Sequence, residues 1–436
     1  MTDVRNKRVT VAGLGRFGGG IAVTRWLVEQ GAASVLVTDK DPADKLADSV
    51  KKLEGLPVEF RLGEHREADF AGADLVVTSP ALPPTNPYLK AAKDAGVPVT
   101  TEIRLFVERC PATVLGVTGT KGKSTTSTLL HRMLSARYKA WVGGNLGGSL
   151  LADLPRMEPA DLVVLELSSY MLWWLGQMRW SPHVALVTIV TSDHLEWHGT
   201  VQDYVDAKRN LIRFQRPDDY AVLNEEDEVG REFARAAAGK VVLYGLADRK
   251  PFDLNLAGRH NQLNAQGAFA AAQVLGVSWD EAQSAVRDLD PLPHRLQLVH
   301  EHAGVRWVND SIATVPDAAI AALESFPPRR VIQIVGGYDN GTPVTALCNA
   351  LAERAKAALC VGPTGKRVSA GMAGSSLPAG ACGVYDCGDL ATAVRLARTV
   401  ATPGDVVLLS TGCKSYDQFT NFEDRGETFT RLARNA

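Results

Sequence analysis

Several features are missing from this chain of 436 residues, and each absence narrows its function. It has no apolar stretch of membrane-spanning length, and its N-terminus, MTDVRNKRVTVAG, lacks the apolar core of a signal peptide. The formal net charge is only −2 and there is no long basic run, which argues against nucleic acid as the main partner. We therefore expect a cytoplasmic protein without a membrane or nucleic-acid partner.

The cysteines lack a recognisable pattern. None belongs to a CxxC pair, and no histidines follow at zinc-binding spacing. We therefore expect reduced thiols packed in or near a core. The six are Cys110, Cys348, Cys360, Cys382, Cys387 and Cys413.

The length exceeds what one hydrophobic core can organise, so several domains are expected. Apolar strand-like runs alternate with helix-like segments along the chain, which is typical of α/β folds. We predict three α/β domains in series: a Rossmann-like domain at residues 1–109, a central P-loop ATPase-like domain at 110–296 and a C-terminal Rossmann-like α/β domain at 297–436.

A phosphate-binding loop is predicted at residues 114–126, VLGVTGTKGKSTT, where an apolar run ends at two glycines and continues as a helix. Gly119 and Gly122 allow a tight turn with inward-facing amides, and Lys123 adds a positive charge. The N-terminus of the helix faces the same anion, and Ser124 is placed to hold a magnesium ion. The expected ligand is ATP with Mg²⁺.

Two further strands are predicted to end in groups suited to a metal. The continuously apolar run DLVVLELSS reaches a carboxylate at Glu166, and the strand HVALVTIV leads to His194. Because the carboxyl ends of parallel strands meet at one edge of a sheet, we expect Ser124, Glu166 and His194 to converge on one cleft. There the carboxylate would bind Mg²⁺ or a water.

Two other patterns leave alternatives open. The N-terminal GLGRFG turn, followed by a strand that ends at Asp39, suits a dinucleotide, but any nucleotide diphosphate can use it, so both NAD and a UDP-sugar fit. Asn261 and Asn264 share a face near the start of an alanine-rich helix. Their amides suit either recognition of an adenine edge or capping of the helix.

The chain resembles the Mur ligases from end to end, in the segments GVTGTKGKST, GGNLG, LELSS, TSDHLEWHG with YVDAK, GRHNQLNA, PHRLQ, VNDSIAT, GGYD and SYDQFTNFEDRGETF. The resemblance implies an ATP-dependent, ADP-forming ligase of peptidoglycan synthesis. It would add glutamate, with the D-isomer expected, to UDP-N-acetylmuramoyl-L-alanine through an acyl phosphate. The three domains would hold the UDP, the ATP and the amino acid in turn, which favours UDP over NAD. A monomer is expected.

The same resemblance implies roles for single residues. Those expected to be catalytic are Lys123, Lys208, His194 and Glu166. Metal ligands are expected at Ser124, Glu166, His194 and Lys208, the last as a carbamate formed with CO₂. ATP is expected at Gly119, Thr120, Lys121, Gly122, Lys123, Ser124, Thr125, Asn261, Asn264, Arg295 and Asp310.

The resemblance also implies two substrate pockets. The UDP-linked substrate is expected at Gly13, Leu14, Gly15, Arg16, Phe17, Asp39, Lys40, Ser79, Pro80 and Asn145. Glutamate is expected at Ser311, Thr314, Lys414, Ser415, Tyr416 and Phe422.

Some positions depart from the residues common in the family. Lys121 replaces an asparagine of the phosphate loop, Ile312 replaces the lysine of NDSKAT, and the lysine usual after GG-Asp is absent at residues 340–341. The loss of two cations weakens an anionic pocket unless another substitutes, and Lys414 is the nearest candidate. An L-glutamate ligase of the same family is therefore an alternative. An NAD-linked oxidoreductase and a nucleotide-binding scaffold without catalysis are alternatives of other classes.

Overall fold

Three β-sheets follow one another along the chain, as the alternation of strands and helices predicted. The computed structural model describes residues 1–15, 18–256, 258–373 and 382–435. No helix in these ranges combines the length and the apolar character needed to span a bilayer.

The first sheet has five strands and is parallel throughout. Its strands are β1 (Arg8–Ala12), β2 (Ser34–Asp39), β3 (Val58–Leu62), β4 (Leu75–Thr78) and β5 (Val99–Thr100). Its helices are α1 (Gly19–Glu29), α2 (Ala47–Lys51), α3 (Glu67–Ala71), α4 (Pro87–Asp94) and α5 (Glu102–Val107). The strand order is β3-β2-β1-β4-β5. The order reverses between β1 and β4, so a crevice opens at the carboxyl ends of these strands, where ligands bind in such sheets.

The second sheet has six parallel strands. They are β6 (Thr113–Thr118), β7 (Ala140–Gly144), β8 (Leu162–Glu166), β9 (Val184–Val187), β10 (Tyr220–Asn224) and β11 (Lys240–Tyr244). The helices are α6 (Lys123–Ser135), α7 (Ser169–Gln177), α8 (Leu195–His198), α9 (Val201–Arg213), α10 (Glu228–Ala236), α11 (Arg259–Gln273) and α12 (Trp279–Val286), with a 3₁₀ turn at Leu151–Arg156. The order β11-β10-β9-β6-β8-β7 places β6 between β9 and β8. The ends of these three strands are therefore adjacent, as predicted.

The third sheet is mixed. Its strands are β12 (Gln297–His302), β13 (Val305–Asn309), β14 (Val331–Gly336), β15 (Ala357–Val361), β16 (Gly383–Gly388) and β17 (Val406–Leu409). The helices are α13 (Pro316–Glu324), α14 (Thr345–Arg354), α15 (Gly362–Ala373), α16 (Leu390–Val400) and α17 (Phe422–Arg434). The order is β12-β13-β17-β14-β15-β16, and β12 is antiparallel to β13. A two-residue turn with positive φ at Ala303 and Gly304 joins these two strands, as in tight hairpins.

The described chain forms two compact units. The first contains residues 1–252 and 263–286, and the second contains residues 253–262 and 287–436. Within the first unit, Trp174 of α7 is 6% exposed and packs in one apolar cluster with Phe70 and Leu89. Loss of a buried ring of this size costs about 3–5 kcal/mol. Because α7 belongs to the second sheet and Trp174 packs against the first, this helix stabilises the contact between the two sheets. The domain boundaries at residues 109 and 296 stay predictions.

Candidate functional site

The phosphate loop connects β6 to α6 at the centre of the second sheet. Gly119 and Gly122 adopt φ values of 153° and 84°, which favour glycine. A Cβ added to Gly122 would lie 2.5 Å from Oδ1 of Asn264, and one added to Gly119 would collide with the Thr188 hydroxyl. That hydroxyl donates a hydrogen bond of 2.6 Å to the carbonyl of Lys121. Neighbouring side chains therefore hold the loop in a single shape.

The start of α6 is suited to an anion. Gly122 brings no side chain to the N-cap position, and the first turn contains no acidic residue. The N-terminal amides of a helix carry partial positive charge, which favours phosphate. The amine of Lys123 donates to the Thr120 carbonyl at 3.0 Å, so the cation lies against the loop. Lys123 and the helix terminus thus place positive potential at one point.

The side chain of Lys208, on α9, contacts the same loop. Its side chain is 1% exposed, and its amine donates to the carbonyl of Gly119 at 2.7 Å. The amine also lies 4.7 Å from the centre of the Tyr204 ring. Burial, and then the nearby charge of Lys123, hold the pKa of Lys208 well below its ordinary value. A buried lysine of this kind has a readily accessible neutral amine, which is the form that reacts with electrophiles.

Glu166 supplies a buried carboxylate at the end of β8. Its Oε1 accepts a hydrogen bond of 2.7 Å from the Asn145 amide, whereas Oε2 is buried and has no hydrogen-bond partner. A buried carboxylate oxygen without a partner is costly unless a cation or water satisfies it, and Mg²⁺ prefers such hard oxygens. The carboxylate therefore fits a magnesium ligand. Asn145 orients Glu166 through this bond, and its predicted contact with substrate stays a prediction.

His194 is placed at the start of α8 in a left-handed conformation, with φ 53° and ψ 36°. Its ring nitrogens lie 3.5 Å from carboxylates of Asp193 and Glu196, and its ring packs 4.9 Å from that of Tyr170. Within the described ranges, no three His, Cys, Asp or Glu side chains are grouped closely enough to hold a metal. A magnesium site here would therefore need the hydroxyl of Ser124 and phosphate oxygens as well.

The glycine-rich turn of the first sheet brings four predicted substrate residues together. Gly15 donates its amide to the Asp39 carboxylate at 3.0 Å, and a Cβ added to Gly13 would lie 3.1 Å from Cβ of Ser79. Leu14 is buried in the core, and the amine of Lys40 lies 5.9 Å from the centre of the Tyr88 ring. Pro80 follows Ser79 in the loop after β4. The predicted contacts Arg16 and Phe17 lie outside the described residues.

In the third sheet, the loops after β13 and β17 meet over a buried arginine. Arg425, on α17, is 3% exposed and donates to the hydroxyl and carbonyl of Ser311 and to the carbonyl of Cys413. The Ser311 hydroxyl in turn donates to the carbonyl of Phe422 at 2.8 Å. Arg425 thus fixes the backbone around the predicted glutamate residues, although no local sequence pattern marked it.

The other predicted glutamate residues differ in exposure. Ser415 is buried, whereas the Tyr416 side chain is 64% exposed. Lys414 and Ser415 follow Cys413 directly, and Thr314 follows the turn at Ser311. These residues are therefore brought to the two loops that Arg425 joins. Ile312 uses its amide to bond the His294 carbonyl, so its backbone helps to hold the turn.

The predicted adenine residues lie on α11 and near β12. Asn261 and Asn264 are both buried near the start of α11, and the contact of Asn264 with Gly122 favours the ligand-site hypothesis over helix capping. Arg295 donates its amide to the Leu292 carbonyl just before β12.

Asp310 makes stability depend on pH. Burial raises its pKa to about 7, against the opposing effect of a 2.7 Å hydrogen bond from Ser410 and the charge of Arg295. Since the folded pKa exceeds the unfolded value of 3.8, the folded state binds the proton more tightly, and this stabilisation is lost as pH rises through about 7. We expect the stability of Asp310→Asn relative to wild type to rise by about 3 kcal/mol between pH 5 and 8, with most of the rise below pH 7. Urea unfolding of the apo protein measures this, and a difference independent of pH would contradict it.

Comparisons with known proteins agree with this geometry. Three family models match: a Mur ligase MurD-like N-terminal domain at residues 7–101, a Mur ligase middle domain at 117–253 and a Mur ligase glutamate ligase domain at 294–413. A protein of Roseiflexus sp. (strain RS-1) named UDP-N-acetylmuramoylalanine--D-glutamate ligase is 40% identical, with 99% of each chain covered. A protein of Anaeromyxobacter dehalogenans with the same name is 38% identical, over 99% of this chain and 98% of its own.

Solved structures share the fold. The UDP-N-acetylmuramate-alanine ligase MurC of Thermotoga maritima aligns with a TM-score of 0.63 at 18% identity, over 98% of each chain. The MurF ligase of Thermotoga maritima in complex with ADP aligns with a TM-score of 0.61 at 17% identity, over 100% of each chain. Because three Mur ligase domains match along the chain and its relatives align over their full length, the chain belongs to the Mur ligase family.

Proposed function

We propose that this protein joins D-glutamate to UDP-N-acetylmuramoyl-L-alanine, with ATP cleaved to ADP and phosphate. The observation that carries the proposal is the convergence of Lys123, Glu166 and Lys208 on one phosphate loop, in a chain 40% identical to a relative named as a D-glutamate ligase. The names of the relatives favour the D-isomer over the L-isomer. Two observations favour the ligase over an NAD-linked oxidoreductase. The Asp39 carboxylate already accepts a hydrogen bond from the Gly15 amide, and an oxidoreductase would have no use for the phosphate-loop site.

The first chemical step activates a carboxylate, because an oxide ion is not a leaving group. The alanyl carboxylate oxygen attacks the γ-phosphorus of ATP, the bond to the β–γ bridging oxygen breaks, and ADP leaves with the electron pair. Lys123 and the N-terminus of α6 offset the negative charge on the transferred group. A Mg²⁺ ion bound by Ser124 and Glu166 would neutralise the remaining phosphate charge.

The second step forms the amide. The neutral amine of glutamate attacks the acyl carbon, inorganic phosphate leaves, and the ammonium proton passes to solvent or phosphate. Arg425 contributes indirectly, since it holds the two loops that carry the predicted glutamate residues Ser311 and Ser415. Exclusion of water protects the acyl phosphate from hydrolysis.

Lys208 is proposed to carry a carbamate. The neutral amine adds to CO₂ and releases one proton, which converts the uncharged side chain into a two-oxygen anion. Its burial against Gly119, its lowered pKa and the orphaned Oε2 of Glu166 support this proposal, because a second anionic ligand beside the phosphate loop suits Mg²⁺. His194 is proposed as a further ligand.

The proposed function is tested by ADP release with UDP-N-acetylmuramoyl-L-alanine and Mg-ATP, in parallel with D-glutamate and L-glutamate. We expect turnover with the D-isomer alone. Turnover with L-glutamate alone would overturn the stereochemical assignment, and no ADP release with either isomer would overturn the proposed ligase. We expect the enzyme to act as a monomer in the cytoplasm.

A further inference from the structure

One indole bridges the first and second sheets at the predicted substrate loop. Nε1 of Trp197, on α8, donates a hydrogen bond of 2.9 Å to the carbonyl of Ala81. Ala81 belongs to the loop after β4, whereas Trp197 follows β9, and the two residues are 116 positions apart. Both lie in the first compact unit, so the bond is internal to a packed body.

Ala81, the acceptor of this bond, lies in a loop that is hydrogen-bonded to the strand end before the glycine-rich turn. The Ser79 amide donates to the Ala12 carbonyl at 2.9 Å, and the Leu82 amide donates back to the Ser79 carbonyl at 3.0 Å. Ala81 therefore lies in a short turn anchored beside Gly13, where the UDP of the substrate is expected. The hydrogen bond from Trp197 to Ala81 consequently fixes the position of this turn relative to the carboxyl ends of the strands.

Trp197, the donor of this bond, belongs to the same helical turn as His194. The amides of Trp197 and His198 both bond the carbonyl of His194 at 3.1 Å, so the indole and the imidazole share one helical turn. The indole centre lies 5.1 Å from the ring of Tyr170 and 5.8 Å from that of Trp173. These ring contacts hold the indole N–H toward the loop.

We infer that Trp197 is a positioning residue for the UDP-linked substrate. Its indole N–H links the loop at residues 79–85 to the helical turn of His194 and so holds this loop in the conformation that binds the UDP-linked substrate. This inference rests on the proposed function, and it assigns the effect to the UDP-linked substrate alone, not to ATP or glutamate.

A purely structural role belongs to a different tryptophan. Trp174 packs in the core of the first sheet, and its Nε1 has no hydrogen-bond partner, so it contributes apolar burial. Trp197 is only partly buried and contributes a directed hydrogen bond. Removal of that N–H should therefore change substrate binding without separating the two sheets.

The test compares Trp197→Phe, which keeps an aromatic ring and loses the donor, with Trp141→Phe as a matched control, which loses an indole N–H that donates to Asp161 at 2.8 Å on the edge strand β7. For Trp197→Phe we expect the KM for UDP-N-acetylmuramoyl-L-alanine to rise about three- to tenfold, the range of one lost hydrogen bond. The KM values for ATP and glutamate, kcat and the thermal midpoint should stay close to wild type. Trp141→Phe should leave kcat and all three KM values close to wild type.

Calorimetric binding of UDP-N-acetylmuramoyl-L-alanine, with a non-hydrolysable ATP analogue present, separates the two possible failures. Weaker binding to Trp197→Phe than to wild type supports the inference. Equal binding to both, or an equal rise in all three KM values, would overturn it while the proposed function stands. Absence of binding to wild type would overturn the proposed function and the inference together.

Discussion

Replacement of Lys208 by alanine is expected to reduce kcat about 10²- to 10³-fold, the loss typical of one charged group at a phosphoryl-transfer site. Lys208 is 1% exposed and its amine is bonded to the Gly119 carbonyl, so the substitution removes a buried contact to the phosphate loop. If the amine is carbamylated, the variant also loses one anionic ligand for Mg²⁺. Steady-state ADP release with D-glutamate measures the effect, and a thermal melt verifies that the variant is folded.

Chemical rescue identifies which charge is missing. Acetate or formate should restore part of the activity of Lys208→Ala, because a small carboxylate can occupy the space left and supply two oxygens. Ethylammonium at the same ionic strength is the matched control and should restore none. The reverse result, rescue by the cation alone, would contradict the carbamate and assign Lys208 a direct role as a positive charge.

The core of the site could be predicted because its signals are local. Gly119, Gly122 and Lys123 follow directly from a glycine-rich turn between an apolar strand and a helix. The convergence of β8 and β9 on β6 follows from continuous apolar runs, which indicate neighbouring parallel strands. The fold class could be predicted for the same reason, since the alternation of strand and helix extends along the whole chain.

Long-range partners could not be predicted, because no local pattern records them. The resemblance placed Asn264 with ATP, but its contact with Gly122, from a helix that starts more than a hundred residues later, is visible only in the fold. Arg425 resembles any arginine of an exposed amphipathic helix, although it is buried under two loops. β12 was not anticipated either, since its alternating polar residues, QLVHEH, suit an edge strand that is covered on one face only.

The different environments of Trp173 and Trp174 could not be predicted from the sequence either. In sequence the pair is part of an apolar helical run, SYMLWWLGQ, with nothing to distinguish the two rings. In the fold, Trp174 enters the core of the first sheet, and Trp173 makes a T-shaped contact with Trp197. Which ring faces which partner depends on how α7 docks, and that is fixed by tertiary packing.

Lys123→Met is the second substitution expected to remove most activity, again by about 10²- to 10³-fold in kcat. The side chain keeps a similar length but loses its charge and its hydrogen bond to the loop carbonyl of Thr120. Without it, charge on the transferred phosphoryl group is offset by the helix terminus and Mg²⁺ alone. ADP release under saturating substrates measures the loss.

Lys121→Met is the matched control, because it removes a second lysine from the same loop. The loop shape depends on the carbonyl of Lys121, which accepts a hydrogen bond from Thr188, and this bond is independent of the side chain. We therefore expect a rise in the KM for ATP of no more than about tenfold, with kcat nearly retained. Equal losses of kcat in both variants would mean that charge density, and not the position of Lys123 at the start of α6, drives phosphoryl transfer. Near-normal turnover of Lys123→Met would refute the assignment of the phosphate loop itself.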